Sequence, residues 1–189
     1  NASQLDKKPS ESIFKEGLNQ EAVFKRQLLT SNGSENIHQL HNELSAAVVQ
    51  HVTVKRDNTN LLHTIDVIKQ IRERYNNVGL DDRSMLANRS YLFASQFKSL
   101  LELSLVMTKG AYLRNEFRGA HFKPEYPNRD DSNWLKTTIA TYKADTDEPE
   151  ITYRDVDTRH LKPVMRDYTK AATVKPTFEN LPQSIEPPL

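Results

Sequence analysis

Between Asn36 and Glu116 apolar side chains return every three or four residues in three successive stretches, a period that leaves little room for anything but packed helices. The first stretch places Ile37, Leu40, Leu44, Ala47, Val48 and His51 on one face. Asn36 stands in the N-cap position with Gln39 three residues on, the capping-box spacing. The β-branched Val52-Thr53-Val54 ends it. The second begins near Asn58 and aligns Leu61, Ile65, Ile68, Ile71 and Tyr75, with Leu62 widening the stripe and Asn76-Asn77-Val78-Gly79 as its stop. The third is long, from Ser84 to Glu116, with Leu86, Phe93, Phe97, Leu100, Leu103 or Ser104, Met107 and Ala111 at helical period. Gly110 inside it costs ~1 kcal/mol against alanine and is expected to let a neighbouring helix approach. A weaker pattern of Phe14, Leu18, Val23, Phe24 and Leu28 predicts a further helix from Ser12 to Leu29, closed by a loop at Thr30-Ser31-Asn32-Gly33-Ser34.

Amphipathic helices on short loops must bury their stripes against one another. The expected fold class is therefore mainly α: a small up-down bundle of three to four helices, followed by a short β-hairpin and an extended Pro-rich tail. The hairpin strands are read at Lys136 to Tyr142 and Pro149 to Val156, with Ala144-Asp145-Thr146-Asp147-Glu148 as the turn. A lone hairpin is marginal in water, so it should pack on the bundle or on a partner. The tail from Lys175 holds four of the nine prolines and cannot form helix or central strand. Residues 1–2 read as a cloning remnant, 3–35 as a linker helix, 36–131 as the bundle domain, 132–170 as the hairpin and extended segment, and 171–189 as the tail.

Composition removes several function classes. With 37% apolar residues the chain has a modest core, leaving polar or partner-facing segments. Lys plus Arg is 26 against 25 acidic residues, and positions 114–170 balance eleven basic with eleven acidic side chains. A nucleic-acid binder would carry a clustered basic footprint, so no nucleic-acid partner is expected. The absence of cysteine excludes disulfides, thiolate metal sites and cysteine nucleophiles. No apolar run approaches the ~20 residues of a membrane span; Leu100 to Met107 is broken by Glu102 and Ser104.

His38 and His41 have a spacing that can share a metal, but no third ligand follows at a recognisable distance, and they read as capping or surface histidines. Ser90, Ser95, Ser104, His51 and His63 stand outside any nucleophile-elbow context. Five glycines, none in a Gly-rich loop after a strand, leave no dinucleotide or phosphate fingerprint. One polar concentration remains: Arg118, Gly119 and His121, then Arg129, Asp130, Asp131 and Trp134. Two readings stand side by side. Gly119 can be the left-handed glycine that ends the long helix, with Arg118 suiting the helix's negative pole. The charges can also pin a chain reversal to another surface through charge-assisted hydrogen bonds. Neither makes a complete active site, and no catalytic, cofactor-binding or metal residue is assigned.

The stretch Asn115-Glu116-Phe117-Arg118-Gly119-Ala120-His121, continued through Pro127-Asn128-Arg129-Asp130-Asp131 to Trp134-Leu135-Lys136, resembles the Arg-Gly-Ala-His … Pro-x-Arg-Asp-Asp … Trp/Phe-Leu-Lys signature of the flavoprotein subunit of succinate dehydrogenase and fumarate reductase. The resemblance runs from Asn36-Ile37-His38-Gln39-Leu40-His41-Asn42-Glu43-Leu44, through His51-Val52-Thr53-Val54-Lys55-Arg56 and Lys69 to Tyr75, to Pro163-Val164-Met165-Arg166-Asp167-Tyr168. Phe117 stands where the family commonly has Ser. The resemblance implies the C-terminal helical domain of a subunit that interconverts succinate and fumarate. Such a subunit passes electrons from covalent FAD to an iron–sulfur subunit, and reaches a membrane anchor only indirectly. It implies that FAD belongs to the parent subunit and not to this fragment. The fragment braces the upstream flavin-binding and capping domains, on the cytoplasmic face of the membrane. L-aspartate oxidase, with a related signature, is the enzymatic alternative, and a free-standing helical interaction module is the non-enzymatic one.

Overall fold

A computed structural model describes residues 10–143, 146, 148–161 and 163–164. The expected tail at 171–189 lies outside them, as do Ala144, Asp145 and Asp147 of the expected turn. The elements are α1 (Glu11–Thr30), α2 (Ile37–His51), α3 (Asn58–Tyr75), α4 (Arg89–Leu113), the single turn α5 (Asp131–Trp134), β1 (Lys136–Thr141) and β2 (Glu150–Asp155). The mainly helical architecture with a two-stranded hairpin is the one expected from the apolar period.

Each helix starts where a side chain can accept the free amides of the first turn. Ser10 caps α1, Asn36 accepts from His38 and Gln39 N–H at 2.9 and 3.3 Å, and Asp57 accepts from Asn60 N–H at 2.8 Å. The long helix begins later than Ser84. Asn88 accepts from Tyr91 N–H at 2.7 Å while its amide donates to the Asp82 and Ser84 carbonyls, and Ala87 is left-handed at φ 53°. The chain thus enters α4 only after a knot of Asn88 hydrogen bonds, and Leu86 lies outside the helix, 84% exposed.

The core joins Leu40 and Leu44 of α2 to Ile65, Ile68, Ile71 and Tyr75 of α3 and to Ala94, Phe97, Leu101 and Leu105 of α4, with Leu28 and Leu29 of α1 at its edge. Tyr75 reaches through it, donating to the Ala94 carbonyl at 2.9 Å, and burial pushes its phenol up to about 12. The stripes of α2 and α3 face inward as read, except that Leu62, expected to widen the α3 stripe, is exposed. The α4 stripe is rotated: Leu101, Ser104, Leu105 and Thr108 are buried, whereas Leu100, Leu103 and Met107 are exposed. Apolar residues surround much of α4, so their spacing alone did not set its phase. Phe14, Leu18 and Val23 of α1 are likewise exposed; that helix buries only Leu28 and Leu29 in the bundle, with Glu21 accepting from the Tyr91 hydroxyl of α4 at 2.8 Å.

Two loops cross where α1 leads into α2 and α3 ends. Glu35 N–H donates to the Asn77 carbonyl at 3.0 Å and Gly79 N–H to the Glu35 carbonyl at 3.3 Å. A Cβ on Gly33 would lie 1.9 Å from the Asn77 oxygen, and one on Gly79 2.2 Å from the Gly33 oxygen, so both glycines are required by backbone approach. Arg74 clamps the crossing through Glu35 (2.9 Å) and Glu43 (2.5 Å).

The hairpin is antiparallel, in register from Lys136 opposite Asp155 to Thr141 opposite Glu150. It packs on α4: a Cβ on Gly110 would meet Thr138 Cγ2 at an ordinary 3.8 Å, so this glycine faces a strand and not the expected helix. Its far end is tied to the bundle by Glu148, which accepts from Lys69 of α3 and from Lys109 of α4 at 2.6 Å. The described residues from Val156 to Val164 belong to a separate unit, with a local Arg159–Asp157 pair at 2.7 Å. Among the described residues no helix is long and apolar enough to cross a membrane.

Gly33→Ala is expected to lower stability by about 1–3 kcal/mol through overpacking. Gly17→Ala, on an open face of α1 with nothing within 4 Å of the new Cβ, should be neutral or stabilising by up to ~1 kcal/mol. Thermal denaturation of the two variants checks both signs. The Lys109 and Lys69 hydrogen bonds hold the Glu148 carboxyl down at about 2, from 4.5. Its contribution is therefore present above pH 4.5 and fades as the pH falls from 4.5 toward 2. Urea titrations across that range should show a shallower pH slope for Glu148→Gln than for the parent.

Candidate functional site

The polar residues singled out in the sequence meet at the base of the bundle, where the chain leaves α4. The helix ends at Leu113, with Arg114 N–H donating to the Gly110 carbonyl at 3.2 Å. Gly119 is therefore not the glycine that stops the helix. It sits five residues beyond the last helical turn's cap, in a two-residue reversal closed by Arg118 N–H to His121 O and His121 N–H to Arg118 O, both 3.0 Å. Gly119 has φ +60° and Ala120 does not have positive φ, the pattern of a type II′ turn, which wants glycine first. The left-handed glycine was foreseen; its place was not. Arg118 likewise does not face the helix end.

Arg114, Glu116 and Arg118 alternate along the chain that follows α4, and the side chains of Arg114 and Arg118 both turn to Glu116. Glu116 is fully buried and stands at the centre. One oxygen accepts from Arg114 Nη1 and from Arg118 Nε at 2.8 Å; the other accepts from Arg118 Nη2 at 3.0 Å and from the backbone N–H of Asp130 at 3.2 Å. Arg118 Nη2 also reaches Asp131 at 2.6 Å, and Arg129 forks onto the same carboxylate with two 2.6 Å bonds. These two guanidinium groups, Arg129 first, hold the Asp131 carboxyl down at about 2, and Arg118 is raised by Glu116 and Asp131. Asp130 uses its own carboxylate differently, capping α5 through Asn133 N–H at 3.1 Å.

Arg114 carries the cluster to the hairpin. It donates to the carbonyls of Trp134 (3.1 Å) and Lys136 (2.5 Å), and its guanidinium lies 5.4 Å from the Trp134 ring centre. The ring meets Tyr153 of β2 edge-on at 5.4 Å. Phe117 packs edge-on against Phe122 at 5.6 Å.

His121 sits apart from the carboxylates. Its Nε2 is 2.9 Å from the Arg114 carbonyl and its Nδ1 is 2.6 Å from Arg56 Nη1, so the neutral ring donates from Nε2 and accepts at Nδ1. Two residues on, Lys123 is wholly buried, donating to the Tyr112 carbonyl at 2.7 Å and to Asn115 at 3.1 Å between the rings of Tyr112 and Tyr126. Burial lowers both groups, Lys123 to about 8.

Arg118, Gly119, His121, Arg129, Asp131 and Trp134 thus share one reversal, with Asp130 at its edge. Arg114, Glu116, Arg56 and Lys123 belong to it and were not singled out. The alternation of Arg114, Glu116 and Arg118 just past a helix was a legible signal for the first two. Of the histidines weighed for metal, His38 stacks on Phe93 at 4.7 Å and His41 tilts against Phe93 and Phe97.

Residues 41–168 match the family model described as fumarate reductase flavoprotein C-term. The chain belongs to that family. It is 40% identical over 166 residues to the succinate dehydrogenase flavoprotein subunit of Bacillus subtilis (strain 168), covering 88% of this chain and 28% of that subunit. It is 30% identical over 152 residues to the fumarate reductase flavoprotein subunit of Helicobacter pylori (strain ATCC 700392 / 26695), covering 79% of this chain and 21% of that one. An E. coli quinol fumarate reductase structure superposes with a TM-score of 0.78 at 26% identity, over 87% of this chain and 28% of its own. A quinol–fumarate reductase structure with menaquinol molecules superposes at 0.76 with 27% identity, over 86% of this chain and 28% of its own. The chain therefore spans about a quarter of the length of the relatives it matches. They favour the succinate dehydrogenase and fumarate reductase reading over the aspartate oxidase alternative.

In this flavoprotein C-terminal domain the signature builds a closed ion cluster whose charges face one another and the backbone. Glu116→Gln leaves two partly buried guanidinium groups short of a counter-charge and should cost roughly 3–5 kcal/mol. Asp131→Asn, at a carboxylate 39% exposed, should cost far less. Denaturant unfolding of both variants measures the contrast.

Proposed function

We propose that this chain is the bracing C-terminal domain of a succinate dehydrogenase or fumarate reductase flavoprotein subunit, divided into a bundle at 36–131 and a hairpin segment from 132 on. The parent subunit interconverts succinate and fumarate and passes electrons to an iron–sulfur subunit. The domain contacts the upstream flavin-binding and capping domains, and a membrane anchor only through the other subunits, at the cytoplasmic face of the membrane. The family match over residues 41–168 supports the parentage.

The observation that carries the bracing role is how Arg114, Glu116, Arg118, Arg129 and Asp131 are used. They are bonded to one another and to the backbone at Asp130, Trp134 and Lys136, so they fix the path from bundle to hairpin. The residues present do not fit FAD. The space at Gly33 is filled by the Asn77 and Val78 backbone and that at Gly79 by the Gly33 backbone, Gly17 and Gly110 lie within helices, and Gly119 closes a two-residue turn, so none offers a phosphate cradle at the end of a strand. Flavin chemistry is accordingly assigned to the upstream part of the subunit.

The test mixes the purified domain with a separately prepared fragment holding the upstream flavin-binding and capping domains, and follows succinate-dependent dye reduction. Activity that needs both pieces is expected. Arg118→Ala and Trp134→Ala should lower the yield of the reconstituted subunit and leave the flavin absorption spectrum unchanged. Absence of both association and activity would overturn the proposal, and turnover of aspartate instead would favour the oxidase.

A further inference from the structure

His121 joins two parts of the chain that are far apart in sequence, and it does so in only one protonation state. From the connection between α2 and α3, Arg56 N–H donates to the Phe122 carbonyl at 3.0 Å and Arg56 Nη1 donates to His121 Nδ1 at 2.6 Å. Arg56 Nε meanwhile holds the Val52 carbonyl at 2.7 Å, at the end of α2. From the other side His121 Nε2 donates to the Arg114 carbonyl at 2.9 Å, at the end of α4. The imidazole is thus a linker between two helix ends, and its Nδ1 lone pair is what Arg56 binds.

We infer that the Arg56–His121 pair is a pH-sensitive latch, which holds the connection between α2 and α3 on the Arg118–His121 reversal at neutral pH and is released when the imidazole takes up a proton.

A protonated imidazole has two donors and no acceptor. Its Nδ1–H would then face the Arg56 guanidinium, which can only donate. Arg56 is permanently charged. The other charged groups around the ring reinforce the conflict: Lys123 from its own segment and Arg114 from the end of α4. Glu125 is directed elsewhere, accepting from Asn58 N–H at 2.9 Å at the start of α3. Burial, then the charges of Arg56, Lys123 and Arg114, hold the imidazole below its ordinary 6.5 despite the Arg114 carbonyl. The sign follows. With the closed-state value below the open-state value, the open state binds more protons as the pH falls below 6.5. Acid therefore favours release, and the latch is fully engaged above 6.5. A device of this kind would loosen the base of the bundle without touching its core. The Leu40, Ile68 and Phe97 packing lies elsewhere and holds no titratable link to His121.

The test is site-resolved amide hydrogen exchange on the full chain at pH 7.5 and 5.5, with rates corrected for intrinsic exchange, read at Arg56 N–H. The parent chain should lose up to about tenfold in protection between the two values, the limit set by one pH unit below an open-state value of about 6.5. His121→Gln, which keeps a donor and an acceptor but cannot titrate, should lose none of it. Core amides of α3 should be unchanged in both. An NMR titration of the His121 ring in the parent chain gives a reading independent of the variant, with a midpoint below 6.5 expected. Equal loss of Arg56 protection in parent and variant, or a His121 midpoint at or above 6.5, would overturn the latch.

Discussion

A carboxylate with no access to water has to be surrounded by donors, and Glu116 determines the base of this domain for that reason. It lies where α4 has ended and the chain must turn back. Its donors come from its own neighbours Arg114 and Arg118, and from the Asp130 backbone fourteen residues on. Satisfying that one side chain therefore fixes three things: the extended path after the helix, the type II′ reversal at Gly119, and the return of the segment that starts α5. Arg114 then transmits the arrangement to Trp134 and Lys136, where the hairpin begins.

The hairpin illustrates why such fixing matters. Two strands alone are marginal in water, and this pair is held at both ends by charge. Arg114 and Trp134 hold the start of β1; Lys69 and Lys109 hold Glu148 before β2. The bracing role proposed above would need a rigid frame, because any freedom in the segment has to be lost on association. The bundle supplies the frame and the ion cluster orients what projects from it.

How much of this could be read in the sequence differed by element. α2 and α3 were legible in extent and largely in face because their remaining surfaces are mostly polar, with Val49 and Leu62 as the exposed apolar exceptions. α4 was legible as a helix, but its phase was not, since Leu100, Leu103 and Met107 on one side and Phe97, Leu101 and Leu105 on the other are equally apolar. The reversal was legible as a polar concentration and, by resemblance, as a family signature. Its centre was missed because burial of Glu116 and Lys123 depends on segments closing from elsewhere: Asp130 and Arg118 over the first, Tyr112 and Tyr126 around the second. Arg56 was beyond reach for the same reason, being brought to His121 by the packing of α2 and α3 against α4.

The most direct measurement is a double-mutant cycle between Glu116 and Arg118, with Glu116→Gln, Arg118→Met and the pair compared by equilibrium unfolding of the whole chain. If the buried carboxylate organises the reversal, the two losses overlap, and the coupling reaches at least about 2 kcal/mol, in the upper part of the range for directly bonded partners. Additive losses, with coupling near zero, would mean that the reversal is held by its backbone turn alone and that Glu116 is a passenger.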